Sequence, residues 1–115
     1  MLSRLHRIVK EKDFNFVLRK GKGWRVPEMQ IKILVNALPH NRFGIVVSNK
    51  VAKKANVRNL LKRRLREILR AKMPGLRTGF DVVLISNPAA IERDFSQLDG
   101  IVDFLFYKMF LKKNV

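Results

Sequence analysis

Lys50-Val-Ala-Lys-Lys-Ala-Asn-Val-Arg-Asn-Leu-Leu-Lys-Arg-Arg-Leu-Arg-Glu-Ile-Leu-Arg-Ala-Lys-Met73 holds ten of the chain's 25 basic residues and a single acid, Glu67. Turned at about 100° per residue, Val57, Leu61, Leu65, Ile68 and Leu69 fall on one arc, and Arg58, Asn59, Lys62, Arg63, Arg66 and Arg70 on the adjoining one. The stretch predicts a helix from about 55 to 73 that joins a core with one face and displays a cationic ridge with the next. Solvated helix faces ordinarily mix signs, because like charges four residues apart repel. Here Arg58/Lys62, Lys62/Arg66 and Arg66/Arg70 are such pairs, which points to an external polyanion. Lys50, Lys53 and Lys54 extend the same charge ahead of the helix.

Outward from the helix lie strands. Arg42-Phe-Gly-Ile-Val-Val-Ser-Asn49 precedes it, and Gly79-Phe-Asp-Val-Val-Leu-Ile-Ser-Asn87 follows the stop at Pro74-Gly75. The second of these has a nearly continuous apolar centre, as a strand buried on both faces does. Met29-Gln-Ile-Lys-Ile-Leu-Val-Asn36 alternates, with Met29, Ile31, Ile33 and Val35 on one side and Gln30, Lys32, Leu34 and Asn36 on the other. Leu38-Pro-His-Asn41 reads as a turn, so 29–36 and 42–49 are expected to pair as an antiparallel hairpin. Residues 11–20 place Phe14, Val17 and Leu18 on one face of a first helix that stops at Gly21. Gly21, Gly23 and Pro27 make 21–28 a loop. After Pro88, residues 91–112 carry Ile91, Phe95, Leu98, Ile101, Val102, Leu105, Phe106 and Met109 at helical intervals. The fold class is α+β, with a central mixed sheet, a strand–helix–strand crossover and about three helices.

The 115 residues are long enough for one domain, 1–115, with a core of its own. A hydrophobic content of 47% excludes a disordered tail, and a net charge of +16 suits a nucleic-acid partner. There is no cysteine and hence no disulfide. No apolar run reaches the length of a membrane span, and the first 12 residues lack the apolar stretch and cleavage site of a signal peptide, so a cytoplasmic protein without a membrane partner is expected. Of the basic residues 21 precede position 78, whereas Asp81, Glu92, Asp94, Asp99 and Asp103 face only Arg93 between positions 79 and 103. A directed basic interface is expected rather than uniform stickiness.

Catalytic chemistry of its own is not expected. Nucleophilic and acid–base mechanisms need paired groups, and the chain offers only His6 and His40, both in segments expected to be flexible. Asp94, Asp99 and Asp103 sit at helical spacing on a polar face and read as solvated side chains, so no metal site is assigned. Gly21-Lys-Gly23 lacks the further glycine and the Lys-Ser/Thr of a phosphate-cradling loop.

Arg58-Asn-Leu-Leu-Lys-Arg-Arg-Leu-Arg-Glu67 resembles the Arg-Asn-Arg motif of the bacterial ribonuclease P protein component. Further matches run in the same order: Asp13-Phe14, Gly21 and Arg25, Arg42 through Lys50, and Gly79-Phe-Asp-Val-Val83 with its continuation to Pro88. Leu60 departs from the pattern, which usually has a second Arg there, and the stretch from Lys50 to Arg58 is one residue longer than the common form. Leu60 falls about 200° round the helix from Arg58, so its missing charge should matter modestly.

The resemblance implies a compact α/β sandwich with a left-handed crossover. It also implies pairing with a large catalytic RNA that removes the 5′ leader from precursor tRNA, using magnesium bound mainly by the RNA. No protein partner is implied. Arg58, Asn59, Lys62, Arg63 and Arg66 match the motif helix, with Arg70, Lys50, Lys53 and Lys54 adjoining it. For a leader cleft between the first helix and the sheet, Phe14 matches the family's aromatic, and Leu18 stands where a second aromatic is common. Phe16, on the opposite side of the helix from Phe14, is either a new contact or packed elsewhere. Lys32, Val46 and Ser48 occupy strand positions facing the cleft. Phe14 itself either stacks on RNA or packs with Val17 and Leu18. A plain RNA-binding structural domain, related to ribosomal or translation-factor domains, is the alternative. A membrane-active cationic helix fits less well, because flanking strands must bury its apolar face.

Overall fold

The computed structural model describes residues 2–113, as α1 (Glu11–Lys20), β1 (Lys22–Arg25), β2 (Met29–Val35), β3 (Arg42–Val46), α2 (Ala55–Lys72), β4 (Phe80–Ser86) and α3 (Phe95–Lys108). The strands form one sheet in the order β1-β2-β4-β3. β4 takes a central place because Val82, Val83 and Leu84 are fully buried, two facing one side of the sheet and one the other. It pairs antiparallel with β2 and parallel with β3, so α2 is the crossover between parallel neighbours.

The expected hairpin between β2 and β3 is therefore not formed, since β4 lies between them. Their connection is shaped to open rather than close. Asn36 accepts from Leu38 N at 2.8 Å and donates to the His40 carbonyl at 3.2 Å, and Ala37 adopts a left-handed φ of 60°. Segment 21–28 also differs from the expected loop: Lys22–Arg25 pair antiparallel with β2, closed by Val26 N donating to Met29 O. All four residues of β1 are exposed, so it has no burial pattern to read. α1 ends at Gly21 as expected, although its φ of −70° is ordinary. The glycine is required by close approach, for a Cβ there would lie 2.5 Å from the Val17 carbonyl oxygen and 2.9 Å from that of Ile33.

One core lies between the sheet and the α2/α3 layer. Met29 and Ile31 from β2, Phe43 from β3, Val82 and Leu84 from β4 meet Leu61, Leu65, Ile68 and Leu69 from α2 and Leu98, Val102, Leu105 and Phe106 from α3. Each such side chain contributes about 1.5–3 kcal/mol by leaving water. On the opposite face a smaller cluster of Ile8, Val17 and Val83, with Phe14, Leu18, Leu34, Val46 and Ile85 against it, seats α1.

The final helix is shorter than the 91–112 periodicity suggests. Pro88 starts a 3-10 turn through Glu92, and Asp94 then begins α3 with a capping box: its carboxylate accepts from Gln97 N at 2.8 Å, and Gln97 Oε1 accepts from Asp94 N at 3.0 Å. Asp99 and Asp103 both lie 3.3 Å from Lys72, and Asp103 also meets Lys112 at 2.9 Å. The Lys112 hydrogen bond, then the Lys72 charge, hold the Asp103 carboxyl below the ordinary carboxylate range. These acids tie the end of α2 and the C-terminal segment to the middle of α3. Among the described residues no helix is long and apolar enough to cross a membrane.

Candidate nucleic-acid interface

Cross-strand partners share a face of the sheet, and on the face that α1 crosses they form three rows. Leu34, Asp81 and Arg42 make the first, Lys32, Val83 and Gly44 the second, and Gln30, Ile85 and Val46 the third. α1 is held over the first two. Arg42 donates to both Asp81 oxygens, at 2.9 and 2.6 Å, and to Asp13 on α1 at 3.3 Å, while Val17 is fully buried in the same cluster as Val83. Those hydrogen bonds, Asp81's first, outweigh burial and raise the Arg42 guanidinium above its ordinary value. The third row stays half-exposed and leads to exposed Ser48, so the sheet is open beside α1, and this open strip is the candidate cleft.

Lys32, Gln30 and Val46 thus share one face, with Ser48 following at its exposed end, as the family resemblance implied for Lys32 and Ser48 and strand alternation for Gln30 and Val46. Glycines flank Lys32 and Val83 in their row, Gly23 on β1 and Gly44 on β3. A Cβ on Gly23 would come within 3.2 Å of Lys32 Cδ, and one on Gly44 would run into the Phe14 ring. Phe14 therefore lies on bare backbone at the cleft wall, half-buried, with Leu18 one turn further along α1. Phe16 points away, 48% exposed, with the Arg19 guanidinium 5.7 Å from its ring centre. It belongs neither to this cleft nor to either core.

The second surface is the ridge of α2. Leu61, Leu65, Ile68 and Leu69 are buried as the periodicity requires, Val57 is half-buried, and Leu60 is 40% exposed. Asn59, Arg63 and Arg70 are exposed, and Lys62 and Arg66 half so. Glu67 pairs with Arg70 at 2.5 Å, and that hydrogen bond holds its carboxyl low. Lys62, Arg63 and Arg66 have no acidic partner among the described residues. Arg58 behaves differently: its Nη1 donates to the carbonyls of Ala52 and Lys53 at 2.9 and 2.7 Å. It holds the loop that carries Lys50, Lys53 and Lys54, and that loop runs from Ser48 at the cleft mouth to the start of the ridge. Chain connectivity therefore places Lys50, Lys53 and Lys54 between the two surfaces.

The chain matches the family model for ribonuclease P over residues 2–109, a span that includes both surfaces. The chain belongs to the ribonuclease P protein family. It is 34% identical to the ribonuclease P protein component of a Cyanothece species, over 84% of this chain and 86% of that one. With the same component from a Synechocystis species the identity is 39%, over 82% and 77% of the two chains. Among solved structures, the RNase P protein from Thermotoga maritima superposes with a TM-score of 0.78 at 30% identity, covering 86% of this chain and 94% of that one. A mutant of the Staphylococcus aureus RNase P protein superposes with a TM-score of 0.87 at 25% identity, covering 94% and 91%.

Sequence reading missed three contributors to this site. Ile85 reaches its floor, and the fully buried Val83 seats α1 beside it, only because β4 is inserted beside β2. Arg42 appeared merely as part of a matching strand, and the tie through Asp81 and Asp13 that it makes requires the same insertion. Alternation alone could have put Arg42 on the face of Val46 and Ser48, but nothing local names its partners.

Proposed function

We propose that this chain is the protein subunit of ribonuclease P, binding the enzyme's catalytic RNA along α2 and the single-stranded 5′ leader of precursor tRNA in the α1 cleft. The family match across residues 2–109 carries the reading. On the ridge, Lys62, Arg63, Arg66 and Arg70, with Asn59, take phosphates and sugars, and Lys50, Lys53 and Lys54 continue the contact toward the cleft. Arg58 contributes by holding that loop. In the cleft, Phe14 offers a ring for a base, Lys32 a cation and Ser48 a hydroxyl, with Leu18 and Val46 as apolar walls. Phe16 reaches only RNA that approaches the outer side of α1.

Cleavage of the leader belongs in this reading to the RNA subunit and its magnesium ions, and the protein works in the cytoplasm. Four of the chain's carboxylates are already engaged by cations. Asp13 and Asp81 are held by Arg42, and Asp99 and Asp103 by Lys72, so their oxygens already face cations. The protein's part is electrostatic: cations beside the RNA–substrate junction offset phosphate repulsion that magnesium would otherwise have to neutralise.

Reconstitution tests this directly. Purified protein alone should leave precursor tRNA intact, and its addition to a bacterial ribonuclease P RNA should lower the magnesium needed for leader removal. Metal-dependent cleavage by RNA-free protein would overturn the assignment. Salt dependence tests the ridge. Lys62→Gln, Arg63→Gln and Arg66→Gln together should weaken RNA binding and flatten the log–log salt slope by about 0.7–0.9 per lost phosphate contact. Arg58 is left in place so that the loop stays formed. An unaltered slope would move the RNA contact off α2.

A further inference from the structure

A cavity of about 550 Å³ lies outside both surfaces, between the N-terminal segment and the β2–β3 connection. Its walls are tied by backbone. Ile8 N donates to the Phe43 carbonyl at 2.9 Å, and Arg7 bridges to Phe43 in parallel, so the segment lies along the outer edge of β3. Arg4–His6 form a 3-10 turn, and the His6 ring meets that of His40 edge-on, 5.6 Å between centres. These histidines, expected in flexible segments, form one of the contacts that shape the cavity.

The lining combines two chemistries. Arg4, Arg7, Lys10 and Arg42 face it against one carboxylate, Asp13, which Arg42 already engages. Leu5, Val9 and Leu38 face it too, 59%, 50% and 37% exposed, beside the half-buried ring of His40. A bare anion gains nothing from three solvated aliphatic side chains, and an apolar ligand gains nothing from three solvated cations. A nucleotide uses both. We propose that this cavity binds one nucleotide of single-stranded RNA, its phosphate on Arg4, Arg7 and Lys10 and its base against Leu5, Val9, Leu38 and His40. The volume falls within the range usual for sites of small ligands.

The cavity also adjoins the cleft. Asp13, which lines it, precedes Phe14 on α1, and Arg42 stands two residues, about 6.6 Å, before Gly44 on the same face of β3. A strand that passes Phe14 toward the start of α1 would meet the cavity next. That continuity rests on the leader reading above, whereas nucleotide binding by the cavity does not.

Because His6 and His40 are the chain's two histidines, their imidazole NMR signals report on the cavity without labelling other sites. Adenosine 5′-monophosphate added to the intact protein should shift both saturably, and more than adenosine or inorganic phosphate at equal concentration. Arg4→Gln/Arg7→Gln, which alters two exposed side chains, should weaken that binding about tenfold or more with an unchanged melting temperature. Lys32→Ala should leave it intact. Absence of saturable shifts, equal shifts with inorganic phosphate, or full binding by the double variant would each overturn the proposal. If Lys32→Ala leaves leader binding untouched while the nucleotide shifts persist, the cleft reading falls and the cavity stands.

Discussion

Phe14→Ala should weaken binding of precursor tRNA by about 1–3 kcal/mol and leave binding of mature tRNA essentially unchanged. The ring lies against Gly44, where a Cβ would overlap it, and is half-buried among Ile8, Val17 and Val83 on one side. Its position is thus fixed by backbone while part of its surface remains at the cleft wall. A stacked leader base would lose its platform in the variant, and only the ligand that has a leader would register the loss. The competing account is that Phe14 simply completes the small core. In that case the melting temperature falls and both tRNAs weaken together, because a loosened α1 does not distinguish them. Measuring both affinities beside thermal stability, with Phe16→Ala and Lys32→Ala in parallel, separates the accounts. Phe16→Ala should have little effect on leader discrimination, since that ring faces away from the cleft. Equal losses for both tRNAs in Phe14→Ala would remove the ring from the site. Gly44→Ala approaches the same point from beneath: by displacing the ring it should reproduce the loss of discrimination.

Asp81→Ala should cost about 3–5 kcal/mol of folding stability, toward the lower end. Asp81 is 7% exposed, receives two hydrogen bonds from Arg42 and a third from Asn36 at 2.9 Å, and is the link between the sheet and the residue that grips α1. Truncation strands the Arg42 guanidinium beside apolar neighbours, with Asp13 at 3.3 Å as its remaining acid. Arg42 is 24% exposed, so water recovers part of the loss, which sets the lower end of the range. Asp13→Ala should cost far less, about 1 kcal/mol or under, because that contact is longer and more solvated. Denaturant unfolding of the two variants checks both. A loss below about 1 kcal/mol in Asp81→Ala would mean that the pair is solvated and that apolar packing alone seats α1.

What could be read from the chain directly was whatever repeats along it. A helix returns to the same face every 3.6 residues and a strand every second residue. The apolar and basic arcs of α2, the Phe14/Val17/Leu18 face of α1 and the alternation of Gln30, Lys32 and Leu34 within β2 are therefore written in neighbouring residues. The segments from Asp13 to Glu67 pointed to the family because each is a short local pattern and they occur in the family's order along the chain.

Strand order is not local. Nothing between Met29 and Val46 says that another strand will lie between these two segments. That was decided by where the fully apolar centre of β4 could be covered on both faces, with the Asn36 turn holding the connection open. β1 has no inward face of its own and becomes a strand only because β2 offers it an edge. Arg42 and Arg58 show the same division within single side chains. By sequence one is a residue in a strand and the other a member of a cationic ridge. In the fold, one binds two carboxylates from different elements and the other binds two carbonyls of the preceding loop. Their charge and face were settled by sequence, but a hydrogen-bond partner is chosen only when distant segments meet, and at that point the nearest unsatisfied oxygen prevails over the local pattern.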